Sequence, residues 1–285
     1  MGMARRIAIM DIGSNSSRLD LFDVGEDLTY GHVDFARVPT KLASFVDEGD
    51  SLTAEGVAAA CESLEKLENN AASLGPVDEW HVFATASLRG RANEDAVVSA
   101  IEKRCGFAVE VIAGEQEAAF GFASLQRHFE PVCAVMADVG GGSTEVVVAD
   151  GGEIISLESL PLGSRALSKR FVAGEWPAKS EVRAMRTAID QVLSRYSGMR
   201  LSARPVLFGI GGTARALQGL VGEGRPEFDD GLRDRVEQLC PERLDTMAAG
   251  TLIFACLWDA FSPQRFVASD ANPREGYLIK RMLGL

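Results

Sequence analysis

Apolar residues come in short runs near the start of this chain and at helical spacing soon afterwards. Residues 6–11 form a first apolar run that stops at Asp11-Ile12-Gly13. A second run over 18–24 and a third over 28–35 flank the turn Gly25-Glu26-Asp27, which predicts an antiparallel meander. Val57, Cys61, Leu64 and Leu67 then recur on one face of a helix predicted over 53–74 and ended by Gly75-Pro76. Strands are expected at 79–84 and 108–112, helices at 92–104 and 115–128. The order is βββαβαβα.

That order begins again in the second half. Apolar strands are predicted at 132–138, 145–149 and 153–160, with Asp150-Gly151-Gly152 as a turn. A helix follows at 180–196, a strand at 206–210, a helix start at 213–220, a long helix at 243–261, a strand at 265–268 and a closing helix at 274–282. The segments Asp11-Ile12-Gly13-Ser14-Asn15-Ser16-Ser17-Arg18 and Asp138-Val139-Gly140-Gly141-Gly142-Ser143-Thr144-Glu145 align without a gap, offset by 127 residues, and the alignment continues through Asp23/Asp150 and Gly25/Gly152. A generic hairpin needs Gly or Asn but not Asp-x-Gly-x-x-Ser. Two similar α/β domains are therefore expected, 1–125 and 126–285, with a cleft between them and a hinge near 125–131. The closing helix, 274–285, is expected to pack back on the first domain.

Composition narrows the function. With 46% hydrophobic and 25% charged residues, the chain has the balance of an ordinary globular protein. Lys plus Arg number 29 against 41 Asp plus Glu, a net charge of −12, which argues against a broad basic face for nucleic acid. Five scattered cysteines without CxxC, and His32, His81 and His128 far apart, argue against zinc and for a reducing compartment. Asp11 cuts the first apolar run too early for a signal segment, Met1-Gly2 lacks the Ser or Thr of a myristoylation site, and no stretch reaches the apolar length of a membrane span. A cytoplasmic protein without a membrane partner is expected.

The candidate chemistry lies at three glycine-rich turns. Glycine lets backbone N–H groups line a concavity, and Ser or Thr hydroxyls add donors, so Gly13–Ser16 and Gly140–Ser143 can form anion nests. Gly209-Ile210-Gly211-Gly212-Thr213 follows a predicted strand and opens a helix, whose N-terminus adds partial positive charge. None of the three matches a P-loop. Asp11, Asp138 and Glu145 stand beside these turns, and one or two carboxylates with phosphate oxygens suit Mg²⁺. Glu117 lies near a helix start, where a carboxylate is also a simple dipole partner.

These residues carry a resemblance. Asp11-x-Gly-Ser-Asn-Ser-x-Arg18, Ala84-Thr-Ala-Ser-Leu-Arg89-x-x-x-Asn93, Gly114-x-x-Glu117-Ala118, Asp138-x-Gly-Gly-Gly-Ser-Thr-Glu145, Leu160-Pro-Leu-Gly163 and Gly211-Gly212-Thr213 occur in this order. Arg243-x-Asp-x-x-x-x-Gly250, Ser269-Asp270 and Arg274-Glu275-Gly276 follow. Over nearly the whole chain, the set resembles the exopolyphosphatase/guanosine pentaphosphate phosphohydrolase family, of the actin, sugar-kinase and heat-shock-protein superfamily. The resemblance implies two actin-like (ribonuclease H-like) domains, each a mixed sheet flanked by helices, around a phosphate-binding cleft.

The resemblance also assigns roles. Glu117 falls at the position of the carboxylate that orients or deprotonates the attacking water. Asp138 and Glu145 match acidic positions that hold Mg²⁺ or help position water, and Asp11 is grouped with them as a metal candidate. Gly13, Ser14, Asn15 and Ser16, then Gly140, Gly141, Gly142 and Ser143, then Gly211, Gly212 and Thr213, match phosphate loops. Arg18 and Arg89 match basic positions near the phosphates, and Arg243 is placed with them. The implied activity is Mg²⁺-dependent release of orthophosphate from the end of inorganic polyphosphate. Guanosine pentaphosphate, the substrate that would tie the chain to the bacterial stringent response, is the alternative; a kinase of the same superfamily and a non-catalytic polyphosphate sensor are more distant ones. A homodimer is left open. The chain departs from the pattern at Gln116, where many members carry a second acid, and in a shortened 219–241. The further C-terminal domains of larger relatives are not expected.

Overall fold

The first apolar run, strand β1 (Arg5–Ile12), is buried from Ile7 onward, as a strand covered on both faces must be. The structure, a computed structural model, describes residues 5–129, 133–196 and 206–285. β2 (Ser16–Val24) and β3 (Tyr30–Pro39) complete the meander, followed by α1 (Ala54–Ser73), β4 (Glu79–Ala84), α2 (Glu94–Cys105), β5 (Val109–Val111) and α3 (Gly114–His128). The second series is β6 (Cys133–Val139), β7 (Thr144–Asp150), β8 (Glu153–Leu160), α4 (Ser164–Phe171), α5 (Lys179–Leu193), β9 (Val206–Ile210), α6 (Gly211–Val221), α7 (Leu232–Leu239), α8 (Leu244–Phe261), β10 (Arg265–Ala268) and α9 (Pro273–Tyr277), ending in a π-helix over Leu278–Leu283. Residues 130–131 of the expected hinge, and Val132 of the expected strand, lie outside the described residues.

The chain divides into two compact units, Met1–Glu117 with Tyr277–Leu285, and Ala118–Gly276. Each holds one five-stranded mixed sheet. In the first the order is β3-β2-β1-β4-β5, and in the second β8-β7-β6-β9-β10, so the repeat in sequence is a repeat in topology. β1 and β6 occupy the same place, antiparallel to the next strand and parallel to β4 or β9. Even an irregularity repeats. Val33 on β3 and Ile155 on β8 are extra residues, skipped where the register shifts beside Leu21/Phe22 and Val148/Ala149.

The first core packs α1 against the sheet through Ala60, Cys61, Leu64, Leu67 and Ala71, all fully buried. Burial of each leucine stabilises by about 1.5–3 kcal/mol. Thr53 caps the helix, its hydroxyl accepting from Gly56 N at 3.3 Å. The final residues join this unit: Tyr277 stacks on Phe83 with centroids 5.4 Å apart, and its hydroxyl meets Glu110 at 3.3 Å. Burial and the Glu110 carboxylate together push the Tyr277 phenol up. In the second unit α8 is buried on nearly every side. Contrary to expectation, Pro241–Phe261 is long and apolar enough to cross a membrane by length and composition, but 72% of its apolar window is buried inside the unit.

Candidate functional site

In the first unit Asp11 is the penultimate residue of β1, and its backbone partner across the ladder is Arg18, which in turn faces Arg37. The turn between them, Gly13–Asn15, is held by its carbonyl groups. Ser14 O accepts from Ala43 N at 3.1 Å, and Asn15 O accepts from Thr40 N at 3.1 Å and Lys41 N at 3.0 Å. A Cβ on Gly13 would stand 2.8 Å from Ser16 O, which explains glycine there. Ser87, in the turn after β4, donates its hydroxyl to Ile12 O and so ties that turn to the loop. Ser16 is buried, and its hydroxyl has no partner among the described residues.

The same turn after β4 carries Arg89. Its Nη1 donates to Ile112 O at 3.0 Å and to Glu117 Oε2 at 3.2 Å. Glu117 stands in the first turn of α3 and is only 9% exposed. A guanidinium and a helix N-terminus both favour an ionised carboxylate. Gln116 caps α3 instead, with its Oε1 accepting from Ala113 N at 2.9 Å. Asn93, from the same sequence signature as Arg89, has a structural role. Its amide exchanges hydrogen bonds of 3.0 and 2.9 Å with the backbone of Leu52.

The second unit repeats this construction. The carbonyls of its turn are held by the start of α4, with Ser164 N donating to Gly140 O at 2.9 Å and Arg165 N and Ala166 N to Gly141 O at 3.1 and 3.0 Å. No acceptor among the described residues takes the N–H groups of Gly141, Gly142 or Ser143. Those amides are the groups an anion would meet. Thr213 donates to Val139 O at 2.9 Å, matching Ser87 on Ile12. Sequence reasoning missed Thr40, Lys41 and the α4 start and gave Ser87 no role, although the Ala84–Arg89 signature held Ser87 and the Leu160-Pro-Leu-Gly163 signature led to the α4 start. A Cβ on Gly163 would lie 2.2 Å from Gly141 O, so only glycine lets α4 dock.

Asp138 and Glu145 face each other across the β6–β7 ladder, and Glu145, 1% exposed, accepts from Ser159 Oγ at 2.8 Å. Gly211, at φ 80°, opens α6, and a Cβ there would stand 2.6 Å from Asp138 Oδ1. The third turn thus abuts the second through Asp138. Arg243 joins them, because its Nη2 lies 2.4 Å from where a Cβ on Gly212 would be. Among the described residues no three His, Cys, Asp or Glu gather as a metal cage. Two carboxylates paired across one ladder, with the space a glycine leaves beside one of them, do fit Mg²⁺, which completes its shell with phosphate oxygens and water.

The sequence model of the Ppx/GppA phosphatase family matches residues 32–220. The chain is 24% identical to exopolyphosphatase 1 of Mycobacterium leprae, over 97% of this chain and 89% of that one. It is 26% identical to exopolyphosphatase 1 of Mycobacterium tuberculosis over 70% of this chain, a match that takes in 58% of the relative's length. Among solved structures it resembles a Ppx/GppA family member from Aquifex aeolicus, with TM-score 0.77 and 24% identity over 99% of this chain and 98% of that one. An exopolyphosphatase from Cytophaga hutchinsonii gives TM-score 0.82 and 20% identity, with 99% of both chains covered. At these identities the solved structures speak for the fold alone: two mixed α/β units.

Proposed function

The chain belongs to the Ppx/GppA phosphatase family, and on that footing we propose that it is an exopolyphosphatase, cleaving the terminal phosphoanhydride of inorganic polyphosphate. The observation that carries this reading is the buried Glu117, 3.2 Å from Arg89, in a turn tied to the Asp11–Ser16 loop. Glu117 accepts a proton from water as that water forms a bond to the terminal phosphorus. The bridging P–O bond breaks, orthophosphate leaves, and the shortened chain keeps the electron pair. The amides of Gly141, Gly142 and Ser143 and the start of α6 at Gly211–Thr213 stabilise charge on phosphoryl oxygens. Gly13, Ser14, Asn15 and Ser16 supply the equivalent turn in the first unit. Arg18, Arg89 and Arg243 hold further phosphates.

Asp138 and Glu145 are the residues we assign to Mg²⁺, with Asp11, buried near the end of β1, as a further candidate. When bound, Mg²⁺ supplies positive charge against phosphate oxygens, which a chain of net −12 otherwise repels. The five cysteines are all free thiols, which supports a cytoplasmic, reducing location. The test is phosphate release from polyphosphate and from guanosine pentaphosphate, each with Mg²⁺ and with chelator. Release from polyphosphate that exceeds release from the nucleotide and stops in chelator is expected. Preference for the nucleotide would shift the assignment to guanosine pentaphosphate, and full activity in chelator would remove the metal.

A further inference from the structure

A cavity of about 130 Å³ opens in the second unit on the side formed by α5, α8 and the segment before α7. Arg183 and Arg186 reach it from one face of α5, and Arg225 reaches it from the shortened segment that follows α6. Glu227 is the one acidic residue in the lining. Asp190 and Asp259 stand beside these arginines as well, so the cavity offers a cluster of guanidinium donors rather than a net positive charge.

Asp259 fixes two of the three. It accepts from Arg225 Nη2 at 2.6 Å and from Arg186 Nη2, and Asp190 lies 3.9 Å from Arg186 Nε. A guanidinium has five donors, so one shared carboxylate leaves others for a ligand. Arg183 is exposed and has no ion pair among the described residues. The remaining wall is apolar, including Val182, Leu252 and Phe228, whose ring stacks on Trp176 at 5.9 Å between centroids.

We propose that this cavity is a second anion site, taking a small phosphomonoester or phosphonate with a compact apolar body. The arginines recognise the dianion and the apolar wall takes the body. At about 130 Å³ the cavity suits a small phosphomonoester or phosphonate. None of these residues belongs to the proposed catalytic apparatus, so the second site stands or falls apart from it.

Phenylphosphonate, which cannot be hydrolysed as an anhydride, is the probe. It should change tryptophan fluorescence saturably, and Trp176→Phe should abolish that change. Arg183→Ala should weaken binding at least about tenfold, the size of a lost charge-assisted hydrogen bond. Glu227→Gln should tighten it severalfold by removing the opposing charge. Release of phosphate from polyphosphate should persist in all three variants. Arg183 and Glu227 are both exposed, and thermal unfolding of each variant checks that the fold is kept. Absence of a saturable signal, or equal affinity in wild type, Arg183→Ala and Glu227→Gln, would overturn the site.

Discussion

The hairpins β1–β2 and β6–β7 share a backbone and differ in charge. In both, two carbonyls of the turn are gripped by amides that follow the third strand, and a hydroxyl from the segment just after β4 or β9 donates to the carbonyl of the residue next to the Asp. Across the ladder, however, Asp11 meets Arg18 and then Arg37, whereas Asp138 meets Glu145 and then Ser159. Opposite charges across a ladder stabilise it, and like charges do the reverse. The first turn sets one carboxylate against two guanidiniums in register, whereas the second sets two carboxylates side by side, the pair we propose for Mg²⁺. The carbonyl clamps shape the anion nest; the residue opposite the Asp decides what else that half contributes.

The comparison can be broken most severely at Glu117, the carboxylate of the first unit that has no counterpart in the hairpin repeat. Glu117→Gln is expected to lower turnover at least about a hundredfold while substrate binding persists, measured by phosphate release and by equilibrium binding. Retention of most activity would take Glu117 out of the mechanism. Next in size is Gly211→Ala, which places a methyl on the Asp138 carboxylate at a positive φ. It should cost about 1–3 kcal/mol in denaturant unfolding and weaken any Mg²⁺ effect.

Exchanging the ladder charges sharpens the contrast through opposite signs. In chelator, Glu145→Gln should raise stability by about 0.2–1 kcal/mol and reduce the stabilisation that Mg²⁺ gives, while Arg18→Gln should lower stability by a similar amount. Scanning calorimetry with and without Mg²⁺ reads both, and shifts of the same sign would defeat the argument. The smallest effect concerns Asp23, whose oxygens accept from Arg6 at 2.8 and 2.9 Å. That hydrogen bonding holds the Asp23 carboxyl below its usual range. Its contribution is present above about pH 4 and is lost as pH falls through the lowered value. Because both groups are partly exposed, Arg6→Gln should have only a small effect, seen as a flatter acid limb in unfolding.

Much of the fold could be read from pattern because the strands are continuous apolar runs and α1 and α8 are long. Strands at 79–84, 153–160, 206–210 and 265–268 match their predicted bounds. The two missed helices are short and nearly silent. α4 buries only Ser164 and Leu167, and α7 only Leu232 and Val236, too few positions to establish a period. The expected closing helix is a short α9 running into a π-helix, a change of hydrogen-bond pitch that apolar spacing does not encode. At the site, the turns and acids were legible because they repeat. The clamps were not, because backbone amides from Ala43 or Ala166 carry no residue-type signature. Nor could spacing show that Gln116 caps α3, or that Arg225 meets Arg186 on one carboxylate 34 residues away.

The paired bulges have a consequence for how the molecule behaves in solution. Val33 and Ile155 are 38% and 60% exposed, and each lies on the outermost strand of its sheet. An unbroken edge with such side chains invites another chain to add itself as a further strand, the first step toward fibrils. The extra residue bends that edge and spoils the register a newcomer would need. Deleting Val33 or Ile155 would remove an oily side chain and yet straighten the edge, so the shortened protein would be expected to clump more readily than the longer one.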